Sequence, residues 1–286
     1  MSLLRTLFWT SRPISWVNTA YPFGLAYLLA GGSWTDWVFW VGMVFFLVPY
    51  NLAMYGINDV FDYESDLLNP RKGGVEGALT DRAQHRAILW ASVLGCVPFL
   101  VPLFAVGMLW SGVALAVTMF AVVAYSAKGL RFKEVPFLDS ATSSTHFVGP
   151  AVVGGLILGG GIPAAGWAAL AAFFAWGMAS QAFGAVQDIE ADRAGGMASI
   201  GTALGARTTV RVALGLYVLA AVLMLATPLP WTGLAVVPLA YVANVALFWN
   251  LPDPRCGEAH RGWERFLWIN YVAGFAVTMV LLAWYD

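Results

Sequence analysis

Charge is what this chain of 286 residues has least of. Only 11% of its residues are Asp, Glu, Lys or Arg, against 60% hydrophobic, a balance that excludes a soluble domain of this length. Ten-residue segments of alternating polarity are missing too, which excludes a membrane β-barrel. Two cysteines, Cys96 in an apolar run and Cys256 in a polar stretch, sit at different expected depths, so neither a disulfide framework nor a zinc site follows. The net charge is −1, and no nucleic-acid partner is expected. No small-residue cleavage site follows the first apolar run, so it is expected to remain as a span.

What is present is long apolar sequence. Stretches of spanning length cover residues 13–32, 37–57, 87–106, 110–127, 140–160, 164–186, 208–228, 231–250 and 266–284, each near the roughly 20 residues that a bilayer requires. The expectation is an all-α, polytopic membrane protein of about nine transmembrane helices, with residues 1–286 forming one transmembrane domain. With the N-terminus in the cytoplasm, all 15 Lys and Arg fall on the cytoplasmic side, as the positive-inside rule requires. The external loops near 31–35, 107–110, 159–163 and 227–231 contain no basic residue. Trp34, Trp37, Trp110, Trp231 and Trp284 fall near outer helix ends, where aromatic belts form. The partner solvent is lipid, and the expected location is the plasma (inner) membrane.

Two acidic clusters interrupt this pattern, each at the end of an apolar run: Asn58-Asp-Val-Phe-Asp-Tyr-Glu-Ser-Asp66 and Asp188-Ile-Glu-Ala-Asp192. At about 100° per residue, Asn58, Asp59, Asp62 and Asp66 share an arc of roughly 100°, while Glu64 points away. Asp188 and Asp192 likewise share a face opposite Glu190. Carboxylates about 6 Å apart repel by roughly 3 kcal/mol at an effective dielectric near 20, so the set requires cations to stay ionised. Oxygen ligands on helical spacing suit Mg²⁺, which usually brings a phosphate with it.

Candidate anion-binding groups are interleaved on the same side: Arg71 and Lys72 after the first cluster, Arg193 after the second, and Tyr125, Lys128, Arg131 and Lys133 in the loop between. Topology alone asks for positive charge there, so their bearing on phosphate is a hypothesis. Asn51 and Gln181 each lie seven residues before the first residue of a cluster, two turns deeper on the same face. They are candidate substrate contacts, although amides in membrane helices commonly serve helix–helix hydrogen bonds. His146, ending the polar run that begins at Asp139, is a candidate with Asp139 for proton handling. Carboxylates with bridging Mg²⁺, flanked by Lys and Arg, match a diphosphate leaving an allylic prenyl group.

At these residues the chain resembles the UbiA-type membrane prenyltransferase superfamily. Asn58, Asp62 and Asp66 match its Asn-x-x-x-Asp-x-x-x-Asp motif, and Asp188 and Asp192 match its Asp-x-x-x-Asp motif. The resemblance implies a UbiA-like bundle around a central cavity, Mg²⁺ held by these five residues, and a prenyl diphosphate donor. Asp59 and Glu64 fall outside the implied metal pattern. Ser11-Arg-Pro-Ile-Ser-Trp16, Tyr50-Asn-Leu-Ala-Met-Tyr-Gly-Ile-Asn58, Asn69-Pro-Arg-Lys-Gly-Gly-Val-Glu-Gly77, Ser143-Ser-Thr-His146 and Trp176-Gly-Met-Ala-Ser-Gln181 are similar to the bacterial lycopene elongases of C50 carotenoid synthesis. That branch implies dimethylallyl transfer to the ends of lycopene, a lipophilic acceptor, through C45 to a hydroxylated C50 product.

Two other readings compete. A prenyltransferase acting on a quinone or tetrapyrrole precursor would use the same acids with a different acceptor. A cation transporter would place its acids near the midplane on broken helices, whereas these fall at cytoplasmic helix ends. The charge placement makes a direct prediction: in intact cells an impermeant maleimide should label a cysteine placed at Ser33 and fail to label one at Glu134. The reverse pattern would overturn the orientation.

Overall fold

The computed structural model describes residues 2–67 and 80–282. Among them helices are joined by short turns and no strand occurs. Four of the helices that position polar groups below are short: α1 (Leu3–Thr10), α3 (Trp37–Leu47), α5 (Tyr63–Asp66) and α10 (Ile189–Ala194). The others are α2 (Trp16–Leu29), α4 (Pro49–Phe61), α6 (His85–Val106), α7 (Leu109–Ser126), α8 (Leu138–Leu156), α9 (Ala164–Val186), α11 (Ile200–Met224), α12 (Val236–Ala246) and α13 (His260–Leu282).

Five runs, Trp37–Phe61, Arg82–Val106, Leu109–Ser126, Ala164–Val186 and Ile200–Met224, are long and apolar enough to cross a membrane. With α2, α8, α13 and the run Trp231–Ala246, they account for the nine expected stretches among the described residues. The apolar stretch of α6 is only 22% buried, leaving Trp90, Val93, Leu94, Val97 and Val101 exposed. Such a surface suits lipid and is unstable in water.

The chain divides into two compact units. The first comprises Met1–Phe132 and Thr145–Ile162. Its core is aromatic: Phe23, Phe45, Phe46 and Tyr50 are fully buried, with ring centroids 5.3 Å apart for Phe23–Phe46 and 5.1 Å for Phe46–Tyr50, distances at which edge and offset contacts are favourable. The expected span 37–57 is broken between α3 and α4, where Val48 leaves helical geometry (φ −118°, ψ −62°) ahead of Pro49. Pro49 has no N–H to continue the ladder. The Asn51 amide nitrogen bridges the break, donating to the carbonyls of Phe46 (2.8 Å) and Leu47 (3.0 Å) and to Thr19 Oγ1 on α2 (2.7 Å). Gly154 lets α8 approach α2 so closely that a Cβ there would collide with the Phe23 carbonyl oxygen.

The second unit comprises Lys133–Ser144 and Pro163–Asp286. Here α9 lies along α11 through small buried residues, among them Ala175, Ala179 and Ala182 facing a core with Ala206, Ala213 and Ala220, the composition that close packing of membrane helices requires. Helix α11 starts at Ile200, well before the expected 208, because Ser199 forms a capping box with Thr202 and satisfies free N–H groups. Gly205 then leaves helical geometry (φ 74°, ψ 166°) inside it, a conformation open to glycine.

These glycines differ in a way that can be measured. Gly154→Ala should destabilise the protein by about 1–3 kcal/mol, as overpacking does, whereas Gly215→Ala in α11, with open space around it, should be neutral or stabilising. Thermal unfolding in detergent would check the contrast, and equal effects would contradict the close approach of α2 and α8.

Candidate active site

Membrane burial makes an unpaired carboxylate expensive, so the first question at each cluster is what surrounds the acids. In the first unit α4 ends at Phe61, and Asp62 is its C-cap residue (φ −102°, ψ 1°). The backbone bond from Asp62 N–H to the Asn58 carbonyl, 2.9 Å, nevertheless keeps the two one turn apart. The expected single helix through Asp66 is thus a helix, a cap and the short α5. Asp62 is 5% exposed, with the Arg131 guanidinium 3.8 Å from its Oδ1. Arg131 reaches it from the α7–α8 turn, where its own backbone takes φ 43°. Ser126 at the end of α7 donates to Asn58 Oδ1 at 2.8 Å, orienting an amide oxygen that retains a second lone pair.

Asp59 has a different role from its neighbours. Its buried carboxylate is paired with Arg12 at 2.9 Å, and the Arg12 guanidinium lies over the Tyr55 ring, 4.1 Å from the centroid. The pair ties the segment between α1 and α2 to α4. Glu64 pairs with Arg82, which also covers the Tyr63 ring at 5.1 Å. Both acids that fall outside the metal motif are therefore engaged by arginine.

In the second unit Asp188 is the N-cap of α10 and Asp192 lies one turn on, its N–H donating to the Asp188 carbonyl at 2.8 Å. Ser199 donates to Asp192 Oδ2 at 3.3 Å. Arg193 is held in place: Nη1 donates to Asp253 Oδ2 at 2.7 Å and Nη2 to the Thr202 carbonyl at 3.2 Å. Asp253 Oδ1 accepts from Ala206 N–H at 2.7 Å, a donor released by the Gly205 break. That backbone bond, and then Arg193, hold the Asp253 carboxyl below its ordinary pKa.

The remaining candidates divide by use. Tyr125 packs against the His146 ring. Lys128 is exposed in the turn after α7. Gln181 Oε1 accepts from Ser143 at 3.1 Å, and the Asn51 nitrogen is committed to the α3–α4 break. Asp139 caps α11: Oδ2 accepts from Ile200 N–H at 2.7 Å, and Oδ1 from Ser140 N–H and hydroxyl. Arg71, Lys72 and the side chain of Asp66 lie outside the described residues. Sequence reasoning missed Ser126, Ser199, Asp253 and the part played by Arg12. The one local signal was Gly205 inside a helical run, which marks a backbone N–H in need of an acceptor.

Among the described residues no three His, Cys, Asp or Glu side chains gather into a metal cluster. Mg²⁺ does not need one, because it usually takes one or two carboxylates and fills its remaining positions with water and substrate phosphate. Asn58 with Asp62, and Asp188 with Asp192, are oxygen donors of that kind. The residues present fit the ion.

The described residues thus form an all-helical protein with acids at helix ends, one of them, Asp62, with an arginine 3.8 Å away. Residues 19–283 match the model of the UbiA prenyltransferase family, and the chain belongs to that family. It is 55% identical over 283 residues to a lycopene elongase/hydratase of Corynebacterium glutamicum, covering 99% of this chain and 98% of that one. It is 57% identical over 281 residues to a C(50) beta-cyclic carotenoids biosynthesis protein of Dietzia sp., covering 98% of this chain and 65% of that longer protein. In fold it is similar to a UbiA homologue from Archaeoglobus fulgidus solved with GPP and Mg²⁺ (TM-score 0.68, 18% identity, 93% of this chain and 98% of that one). The protein is thus a membrane prenyltransferase, which sets aside the transporter reading.

The Arg12–Asp59 pair yields a prediction separate from chemistry. Arg12→Ala strips a buried carboxylate of its partner and should cost about 3 kcal/mol, the lower end for breaking one side of a buried ion pair. Thermal unfolding would measure it; an unchanged midpoint would mean that the pair adds no net stability.

Proposed function

We propose that the protein transfers a dimethylallyl group from dimethylallyl diphosphate to the ends of lycopene in the plasma membrane, in a Mg²⁺-dependent reaction accompanied by water addition, giving C45 and then C50 carotenoids. The observation that carries this reading is the 55% identity to a lycopene elongase/hydratase across nearly the whole of both chains. Residues 1–286 act as one transmembrane prenyltransferase domain with a cytoplasmic N-terminus, so the acids meet a donor that is made in the cytoplasm.

Mg²⁺ supplies positive charge that steadies the diphosphate as it leaves. Asn58, Asp62 and Asp66, and separately Asp188 and Asp192, would hold the ion. Arg131, beside Asp62, would bind phosphate oxygens, joined by Arg71, Lys72, Lys128 and Tyr125, and by Arg193 if it exchanges its contact with Asp253 for the diphosphate. Asn51 and Gln181, deeper on α4 and α9, would contact the bound substrate. Breaking the C–O bond yields diphosphate and an allylic cation. Lycopene has no phenol or amine, so the electron pair of a terminal double bond forms the new C–C bond and leaves a tertiary cation on the carotene. Loss of a proton gives a net gain of C5H8 per end; capture of water gives C5H10O.

Membranes containing the protein, supplied with lycopene, Mg²⁺ and dimethylallyl diphosphate, should form products one and two C5 units heavier, with oxygen drawn from H₂¹⁸O. Isopentenyl diphosphate, which cannot ionise to an allylic cation, should not substitute in an isomerase-free preparation. Asp62→Asn and Asp188→Asn should each lower turnover by at least about a hundredfold, the scale of losing one transition-state electrostatic contact. Unchanged lycopene beside a prenylated aromatic acid would transfer the assignment to the quinone-precursor reading.

A further inference from the structure

Between α4, α7 and α8 of the first unit lies a histidine with one ring nitrogen unused. His146 is 4% exposed. Its ring hydrogen-bonds the backbone of Ala121 on α7 and meets Tyr125 edge to face, with centroids 5.3 Å apart. Its own carbonyl accepts from the Tyr50 hydroxyl at 3.1 Å. Nε2 is buried and has no hydrogen-bond partner, so the bond to Ala121 is made by Nδ1. A backbone carbonyl accepts, hence Nδ1 carries the proton, and the neutral ring presents Nε2 as a lone pair. An acceptor left unmet in a membrane interior is costly.

Depth is what gives the lone pair a use. The same two helices meet toward the cytoplasm at the 2.8 Å contact of Ser126 with Asn58. Ala121 lies five residues before Ser126 on α7, and Tyr50 eight before Asn58 on α4, so His146 sits about 7–12 Å deeper at 1.5 Å per residue. A diphosphate held at the level of Asn58 would place its five-carbon group, about 5 Å long at roughly 1.5 Å per bond, toward that depth, with the end of the acceptor beyond it.

We propose that His146 Nε2 receives the proton of the water that quenches the carotenoid cation, which makes His146 the residue that selects an alcohol over an alkene. The role rests on the elongation-with-hydration reading above. A water that donates one O–H to Nε2 turns its oxygen lone pair toward the cation. The C–O bond forms, the O–H bond breaks with its electrons left on oxygen, and the proton passes to Nε2 and later to solvent. Nothing is oxidised or reduced. Without the lone pair, the cation loses a proton from an adjacent carbon to another acceptor and an alkene results.

The test compares wild-type membranes with those of His146→Asn, which keeps a donor for the Ala121 carbonyl and lacks Nε2, and His146→Phe, which keeps a ring against Tyr125. Each is given lycopene, dimethylallyl diphosphate and Mg²⁺ in H₂¹⁸O, and the ratio of C5H10O to C5H8 gains is read by mass spectrometry. This ratio is internal to each sample, so altered total turnover does not mask it. It should fall at least tenfold in both variants, the low end of what removing a general base costs being about a hundredfold. An unchanged ratio in either variant overturns the role, as does complete loss of transfer in both while the proteins remain folded, since His146 would then serve structure or ionisation. A wild type that elongates lycopene without gaining oxygen refutes hydration itself, and one that leaves lycopene untouched refutes the acceptor, so the three failures are distinct.

Discussion

Keeping carboxylates charged at the edge of a bilayer is the constraint on which the rest of this structure depends. An unpaired acid in such a place costs several kcal/mol, and the described residues answer that cost acid by acid. Asp59 has Arg12, Asp62 has Arg131, Asp192 has Ser199, and Asp253 has both Arg193 and a backbone N–H. Because each partner comes from a different segment, meeting the electrostatic requirement also draws the segments at the helix ends of each unit together. Arg12 brings in the chain before α2, Arg131 the turn after α7, and Asp253 the loop before α13.

The polar groups reach these positions because the helices stop where uninterrupted periodicity would have carried them on. Helix α3 yields to α4 at Val48 and Pro49, α4 ends in a cap at Asp62, α9 gives way to α10 at Asp188, and α11 breaks at Gly205. Every break frees backbone groups that need partners, and side chains provide them: Asn51 at the first, Asp253 at the last. A membrane interior forbids leaving such groups to water, so these two irregularities come with side-chain remedies. Asp62 and Asp188 occupy the cap positions at two of these breaks.

Separating structural from chemical acids is where tertiary information mattered most. Asp59 and Asp62 are three residues apart, and both are buried. The motif already set them apart, and their partners differ in kind: a close 2.9 Å pair stacked on an aromatic ring for Asp59, against a looser 3.8 Å approach for Asp62. The same logic assigns Asp139, whose oxygens are occupied by Ile200 and Ser140, to the start of α11. Of the two groups in that polar run considered for proton handling, His146 alone retains an unmet acceptor.

Hydropathy and charge placement were enough to read nine helical stretches, because a bilayer demands unbroken apolar length and spacing of 3 or 4 residues survives local irregularity. The acidic motifs were legible for a related reason: a carboxylate in so apolar a chain stands out, and Asn58, Asp62 and Asp66 keep their helical spacing in sequence even where the helix is interrupted. What only the tertiary structure decided was partnership. That Arg12 belongs to Asp59, Ser126 to Asn58 and Asp253 to the break at Gly205 joins residues 47 to 68 positions apart. No local period encodes such pairs, since they arise when helices pack and buried polar groups must find the nearest opposite charge or donor.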